Sequence, residues 1–304
     1  MGEGVLNVDF AARISELESL MNKLSLKWIT YKSLFRGKGL EFDSYREYSF
    51  DDDAGSIDWM ASARSNQILV KKYIEERDLK VIFLIDGGDN MVFGSSEKLK
   101  CECAAEVAAS LAHLVLLSGD KVGFVFFKDN SFEEVVLPEG GMRRFGVFSQ
   151  ELINAKNYGG KPKSLDIFLN FLIDYLDDSI NAVFIISDFL HIGNNFKDNF
   201  ELFSKKFETI PILVRDFLDE KLPPLDSEFV IEDPSSGKQI TLNSAVARKT
   251  YERLALKDKE TLLNIFNDLG IEHLEIKTNE QFIPLLVQFL NERSRRKRFI
   301  VPRN

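Results

Sequence analysis

Histidine and cysteine are scarce in this chain, at three and two of 304 residues. Cys101 and Cys103 stand two apart on a predicted helix and point to different faces. With no second pair they cannot build a disulfide framework or a zinc site. They read as reduced packing residues of a cytoplasmic protein. The histidines, His113, His191 and His273, are scattered, and His113 falls inside a helix, where it packs. No phosphate-binding glycine loop and no G-x-S-x-G elbow occurs. No apolar run approaches the roughly 18 residues that cross a bilayer. The start, MGEGVLNVDF, lacks the basic-then-apolar order of a secretion signal. Positive charge is outnumbered, 39 Lys and Arg against 48 Asp and Glu, for a net −9. That balance disfavours nucleic acid as the main partner. Internal repeats and low-complexity stretches are also missing.

What is abundant is phenylalanine, 26 residues, mostly inside apolar runs. Leu6, Phe10, Ile14, Leu17, Met21 and Leu24 recur at steps of three and four, which predicts an amphipathic helix over 6–27 that packs on its own domain. From residue 80 the pattern alternates. Strands are predicted at 80–86, 121–127, 132–137, 181–188, 209–216 and 271–276. Helices are predicted at 97–119, 142–155, 164–176, 195–207, 244–268 and 279–293. The 121–127 and 132–137 strands, a short turn apart, predict an antiparallel hairpin. Alternation of this kind predicts an α/β fold with a mainly parallel sheet covered on both faces. Residues 217–242, with Pro223-Pro224 and Asp233-Pro234, read as a loop and β-hairpin inserted after the 209–216 strand. In such sheets sites lie at the carboxyl ends of strands where the strand order reverses. Asp86 ends LID and Asp188 ends ISD, so the two are expected to face one crevice.

The stretch 36–77 is charged yet holds Phe42, Tyr45, Tyr48, Phe50, Ile57, Trp59 and Tyr73. Charges beside aromatics predict ordered ion pairs over a packed platform. Glu41, Arg46, Asp53, Asp58, Trp59, Arg64 and Arg77 are expected to form its network, with Arg46, Arg64 and Lys72 answering the acidic residues Asp51, Asp52, Asp53 and Asp58. The ordered set Gly37, Gly39, Glu41, Phe42, Arg46, Tyr48, Asp52, Asp53, Ile57, Asp58, Trp59, Ala63, Arg64, Lys72, Glu76 and Arg77 resembles the bacterial domain-of-unknown-function 58 family. IISDF at 185–189 and the insertion from Leu222-Pro223 to Asp233-Pro234 also look like that family. The resemblance covers nearly the whole chain. It implies a von Willebrand factor type A-like (Rossmann-like) domain at 79–293 with one antiparallel edge strand. The helix and charged segment would precede it at 1–78, and a basic tail would follow at 294–304. It also implies a non-enzymatic adaptor working with a MoxR-type AAA+ ATPase.

Type A domains hold a divalent metal, usually Mg²⁺, on Asp-x-Ser-x-Ser, a later Thr and a last Asp. Here Asp86 and Asp188 match the two Asp positions, while Gly88 and Asn90 replace the serines. Lys163 falls where the Thr belongs, although a one-residue shift would place Ser164 there instead. The expectation is therefore a degenerate site of Asp86, Asn90 and Asp188 that needs no metal or other cofactor, with the Lys163 ammonium replacing a ligand. Two other readings compete, an enzyme of either of two kinds and a binder of anionic surfaces. A metal-dependent hydrolase or nuclease would use the acidic clusters. A haloacid-dehalogenase-type phosphatase would need an Asp where Gly88 stands. A binder of anionic surfaces would use RSRRKR at 293–298, otherwise read as a solvated helix end.

Overall fold

Apolar runs of four to eight residues become the strands of one central sheet. The structure is a computed structural model that describes residues 4–23, 40–49, 52, 55, 57–65, 67–75, 79–128, 135–161, 164–223, 228–232 and 238–298. Helix α1 spans Phe10–Lys23. Strand β1 (Leu40–Glu47), helix α2 (Trp59–Ser65) and strand β2 (Leu69–Glu75) follow, with β1 and β2 paired antiparallel. The central sheet begins with β3 (Lys80–Asp86). After it come α3 (Lys100–Leu117), β4 (Lys121–Phe127), β5 (Val136–Glu139), α4 (Met142–Ile153), α5 (Leu165–Tyr175), β6 (Ala182–Ser187), α6 (Phe196–Lys206) and β7 (Glu208–Arg215). A single helical turn, α7 (Phe217–Glu220), leads to the hairpin β8 (Glu228–Glu232) and β9 (Gln239–Asn243). The last described elements are α8 (Ser244–Asp268), β10 (Leu274–Lys277) and α9 (Phe282–Arg298).

The sheet has six strands in the order β10-β7-β6-β3-β4-β5. All neighbours are parallel except β4 and β5, which run antiparallel at the edge. The order reverses between β3 and β6, so the carboxyl ends of these two strands open a crevice. Side chains alternate between two cores. Val81, Phe83 and Ile85 of β3 join Leu111, Leu114 and Val115 of α3 and Ile283 and Val287 of α9. Ile82 and Leu84 join Phe168 and Leu172 of α5, Phe200 and Phe203 of α6, and Phe266 of α8. Phenylalanine knits both layers: Phe83 stacks on Phe184 at 5.1 Å, and Phe196 on Phe200 at 4.9 Å between ring centroids.

The N-terminal helix packs on its own domain. Leu17 and Met21 are buried in the α3–α9 core. Ahead of it, the Asn7 and Asp9 amides donate to the buried Glu102 and Glu106 carboxylates, both at 2.9 Å. Cys101 and Cys103 are free and buried, and burial raises both thiols to about 12. His113 contacts Glu18 of α1 at 2.9 Å, across the α1–α3 seam.

Several boundaries differ from expectation by a few residues, and two of them bear on the argument. The edge strand β5 starts at Val136, and residues 129–134 lie outside the described residues. The basic run at 293–298 belongs to α9, which continues to Arg298. Arg293 is buried and ion-paired with Glu272 at 2.7 Å and with Glu208, so the run begins as an internal ion pair.

Because Leu17 is wholly buried, Leu17→Ala is expected to destabilise the whole α/β unit by about 2–5 kcal/mol in urea unfolding. A cost near zero would mean that α1 is peripheral.

Candidate functional site: a crevice filled by its own charges

The strand ends supply the frame. Asp86 closes β3, and its carboxylate accepts from the Gly88 amide at 2.9 Å and from the Ser187 hydroxyl at 2.7 Å. Gly87 lies so close to the neighbouring 155–157 turn that an added Cβ would meet the Asn157 carbonyl oxygen at 2.3 Å, so only glycine fits. The loop is pinned further by the Asp89 amide donating to the Gly160 carbonyl at 2.7 Å. A 3-10 turn over Asp89–Met91 then aims Asn90 inward.

Asp188 follows β6 and is fully buried. The next residue, Phe189, has φ of 54°. This left-handed backbone is costly for a bulky side chain. Edge-on packing of its ring against Phe196 and Phe266 holds it there. The turn brings the Leu190 amide back to Asp188 Oδ1 at 3.0 Å.

The Asn90 amide joins the two acids. Its Nδ2 donates to Asp86 Oδ2 at 3.2 Å and to Asp188 Oδ2 at 2.9 Å. Its Oδ1 is buried with no hydrogen-bond partner among the described residues. The sequence expectation for Asp86, Asn90 and Asp188 therefore places three side chains that do converge.

The cation beside them comes from elsewhere. Lys100, the first residue of α3, is 1 % exposed, and its ammonium donates to Asp188 Oδ2 at 2.7 Å. It also reaches both oxygens of Asp219 in α7, at 3.0 and 3.1 Å. The Phe93 ring centroid lies 5.7 Å from the ammonium. Asp219 is itself fixed, because its carboxylate takes the Asp216 amide at 2.8 Å. Lys163 lies outside the described residues. Ser164, at the start of α5, gives its hydroxyl to Asp166. Sequence reasoning missed Lys100 and Asp219. A lysine at a helix N-terminus opposes the helix dipole. At the head of an otherwise buried helix, such a residue signals a carboxylate partner.

Burial raises Asp86 to about 6, and the Asp188 charge adds to the effect. Burial pushes Asp188 upward too, but the Lys100 charge and hydrogen bond outweigh it, so Asp188 sits below its usual range. Lys100 touches Asp188 and not Asp86, which explains the split. Burial lowers Lys100, and the charges of Asp188 and Asp219 reverse that and raise it.

These residues do not fit a divalent ion. Gly88 offers no side-chain oxygen. Asn90 turns its donor side to both acids, and an ammonium already occupies Asp188, one of the two carboxylates that would bind a metal. Among the described residues no group of three or more acidic, histidine or cysteine side chains is arranged to hold a metal.

The charged segment ahead of the sheet is ordered in part as expected. Arg46 pairs with Asp52, and Asp58 takes Lys71 at 3.2 Å and the Tyr45 hydroxyl at 3.0 Å. The aromatic platform is not packed at Trp59, which is 68 % exposed. Asp58 instead caps α2 through the Met60 and Ala61 amides at 3.1 Å. Arg64 is exposed on α2. Asp51, Asp53 and Arg77, and the side chains of Glu41 and Lys72, lie outside the described residues.

An α/β domain whose crevice at the strand-order reversal holds a buried lysine among its carboxylates is the class this geometry defines. The chain belongs to the family described as "Protein of unknown function DUF58", whose model matches residues 44–261. Proteins of Mycobacterium bovis and Mycobacterium tuberculosis, described as uncharacterized, are 24% identical over 264 residues, covering 86% of this chain and 82% of theirs. Among solved structures, the conserved hypothetical protein BatB from Bacteroides thetaiotaomicron aligns with a TM-score of 0.46 at 13% identity, over 71% of this chain and 99% of that one. The SpRpn10 VWA domain aligns at 0.40 and 11%, over 68% and 93%.

The raised Asp86 sets a direction for pH dependence. Its folded value lies above the ordinary 3.8. Between roughly pH 4 and 6 the folded state thus binds the proton more tightly, and stability falls as pH rises through that window. Asp86→Asn is expected to flatten the fall, read as urea midpoints across the same range. An unchanged slope would mean that Asp86 titrates normally.

Proposed function

We propose that this chain is a non-enzymatic interaction module whose crevice carries a built-in cation, Lys100, where related domains carry a metal. The observation that carries the reading is the Lys100 ammonium, bonded to Asp188 and Asp219 inside the crevice. Each crevice carboxylate accepts hydrogen bonds from neighbouring donors, an arrangement that supports a fixed structural role. Around this sealed centre Phe93, Leu190 and Phe217 are exposed. Each lies within two residues of, or against, a group in the Lys100 network. Exposed apolar side chains beside a polar centre suit a protein contact.

The partner suggested by the family resemblance is a MoxR-type AAA+ ATPase, which this module would serve as adaptor in the assembly or maturation of other proteins. The nuclease reading loses support because Asp52 and Asp58 are spent on Arg46 and Lys71. The anionic-surface reading loses support because Arg293 is internal.

Calorimetric titration with Mg²⁺ is expected to give no saturable heat. Millimolar or tighter binding that disappears in Asp86→Ala would sink the built-in-cation reading. Affinity capture of the tagged chain from its own cells tests the partner. Wild type is expected to bring down an AAA+ ATPase, and a Leu190→Asp, Phe217→Asp double variant to lose it. Capture by both would move the contact away from the rim, and capture by neither would overturn the adaptor.

A further inference from the structure

Ahead of α1 the chain runs across the surface as a strap, residues 4–9. Val5, Asn7 and Asp9 are exposed, while Leu6 is 9 % exposed and Val8 is half-buried against the α3–α9 core. The strap touches two segments that are far apart in sequence, and each of them supports one wall of the crevice.

The first is the 153–160 segment. The Leu6 amide donates to the Ile153 carbonyl at 3.0 Å, and the Ala155 amide donates to the Gly4 carbonyl at 3.3 Å. Val5 and Asn154 form an antiparallel bridge between these bonds. A few residues on, the same segment holds the loop that carries Asn90. Gly88 and Gly160 bridge in parallel, and the Gly160 amide donates to the Gly87 carbonyl at 3.4 Å. The buried Tyr158 hydroxyl donates to the Leu152 carbonyl at 3.1 Å, which ties the segment back to the end of α4.

The second is the start of α3. The Asn7 and Asp9 amides, two residues apart, meet Glu102 and Glu106, one helical turn apart. Each carboxylate has another donor just ahead of Lys100. Glu102 takes the Leu99 amide at 2.9 Å with its other oxygen, and Glu106 takes the Lys98 ammonium. Glu106 also faces Arg13 at 3.5 Å. Glu102 has no cation among the described residues, although it is buried. Its charge rests on the Asn7 and Leu99 amides. Losing either would leave a buried carboxylate short of a donor, which is unfavourable. The strap and the residues that place Lys100 are therefore fixed together.

We infer that the 4–9 strap is a clamp that couples the two walls of the crevice, so that holding or releasing it tightens or loosens the Asn90 loop and the Lys100 end of α3 together. Coupling of this kind is reciprocal. A partner that draws the strap away would free both walls at once, and a partner seated in the crevice would hold the strap down. The clamp does not depend on which partner the crevice meets, so it stands apart from the adaptor reading.

The test is residue-resolved amide hydrogen exchange on the purified full chain. Wild type is compared with Leu6→Asp, which drives the buried anchor of the strap out of the core. Asn7→Pro removes the amide that Glu102 accepts, and it serves as the second variant if Leu6→Asp does not fold. Val5→Asp, at an outward-facing side chain, is the control. The readouts are the Asp89 amide on one wall and the Lys100 amide on the other, bonded to the Gly160 and Phe93 carbonyls at 2.7 and 2.8 Å. Ile185, in the middle of β6 and paired on both sides, reports opening of the whole domain. Leu6→Asp and Asn7→Pro are each expected to speed exchange at both walls by about ten- to a hundredfold beyond any change at Ile185. Val5→Asp is expected to change none of the three.

Acceleration at one wall only would overturn the coupling, and acceleration at neither would make the strap passive. Equal acceleration at Ile185 and both walls would mean that the whole domain loosens, and it would overturn the clamp. A Val5→Asp response matching that of Leu6→Asp would trace the effect to added charge and overturn it too. Failure of both strap variants to fold would place the strap in the folding core and do the same.

Discussion

Two carboxylates at neighbouring strand ends cannot share a dry crevice unless something offsets their repulsion. At 4 Å and an effective dielectric near 20, two like charges cost about 4 kcal/mol before any desolvation. Here the offset is divided. Asn90 spans both acids with one amide, Lys100 lies against one of them, and burial holds the other near half-protonation around pH 6. Lys100 can do this only because α3 starts directly under the crevice and because α7 folds back to present Asp219. The 216–220 turn, the start of α3 and the end of β6 are thereby tied through one ammonium, and the end of β3 joins them through Asn90. Displacing any of them would leave a buried charge uncompensated, an unfavourable state of several kcal/mol.

How much of this could be read in the sequence depended on whether the deciding contact was local. The runs that became β3, β6 and β7 were legible because strands buried on both faces show unbroken apolar character, and α8 was legible from its period. The meeting of Asp86 with Asp188 followed from a rule about strand order that needs no atomic detail. Lys100 and Asp219 are 119 residues apart, and each looks ordinary in its own stretch. One lies in the charged first turn of a predicted helix, the other in what read as an inserted loop. Trp59 misled for the opposite reason. An aromatic among charges suggested a packed platform, yet its neighbour Asp58 is there to cap a helix, and the ring faces outward.

The charged segment and the crevice also differ in kind. Pairs such as Arg46–Asp52 are near the surface, where ion pairs are worth roughly 0–1 kcal/mol and weaken with salt. They order a small two-stranded unit without deciding whether the domain folds. The Lys100 network is dry and coupled to both cores, so its loss would be felt throughout. The same protein thus uses charge in two ways, as surface order in one place and as an internal fastener in another.

The left-handed backbone at Phe189 separates the shape of the crevice from its chemistry. The bend that presents Asp188 is held from below, by rings of α6 and α8 that never touch the crevice. Variation at positions 86, 90 and 100 could thus rewrite what the surface recognises while the scaffold stays unchanged. Drift in the aromatic layer beneath would deform the surface even if every crevice residue were kept. For a lineage of such domains, the phenylalanine core would be the conservative element and the polar crevice the part free to diversify.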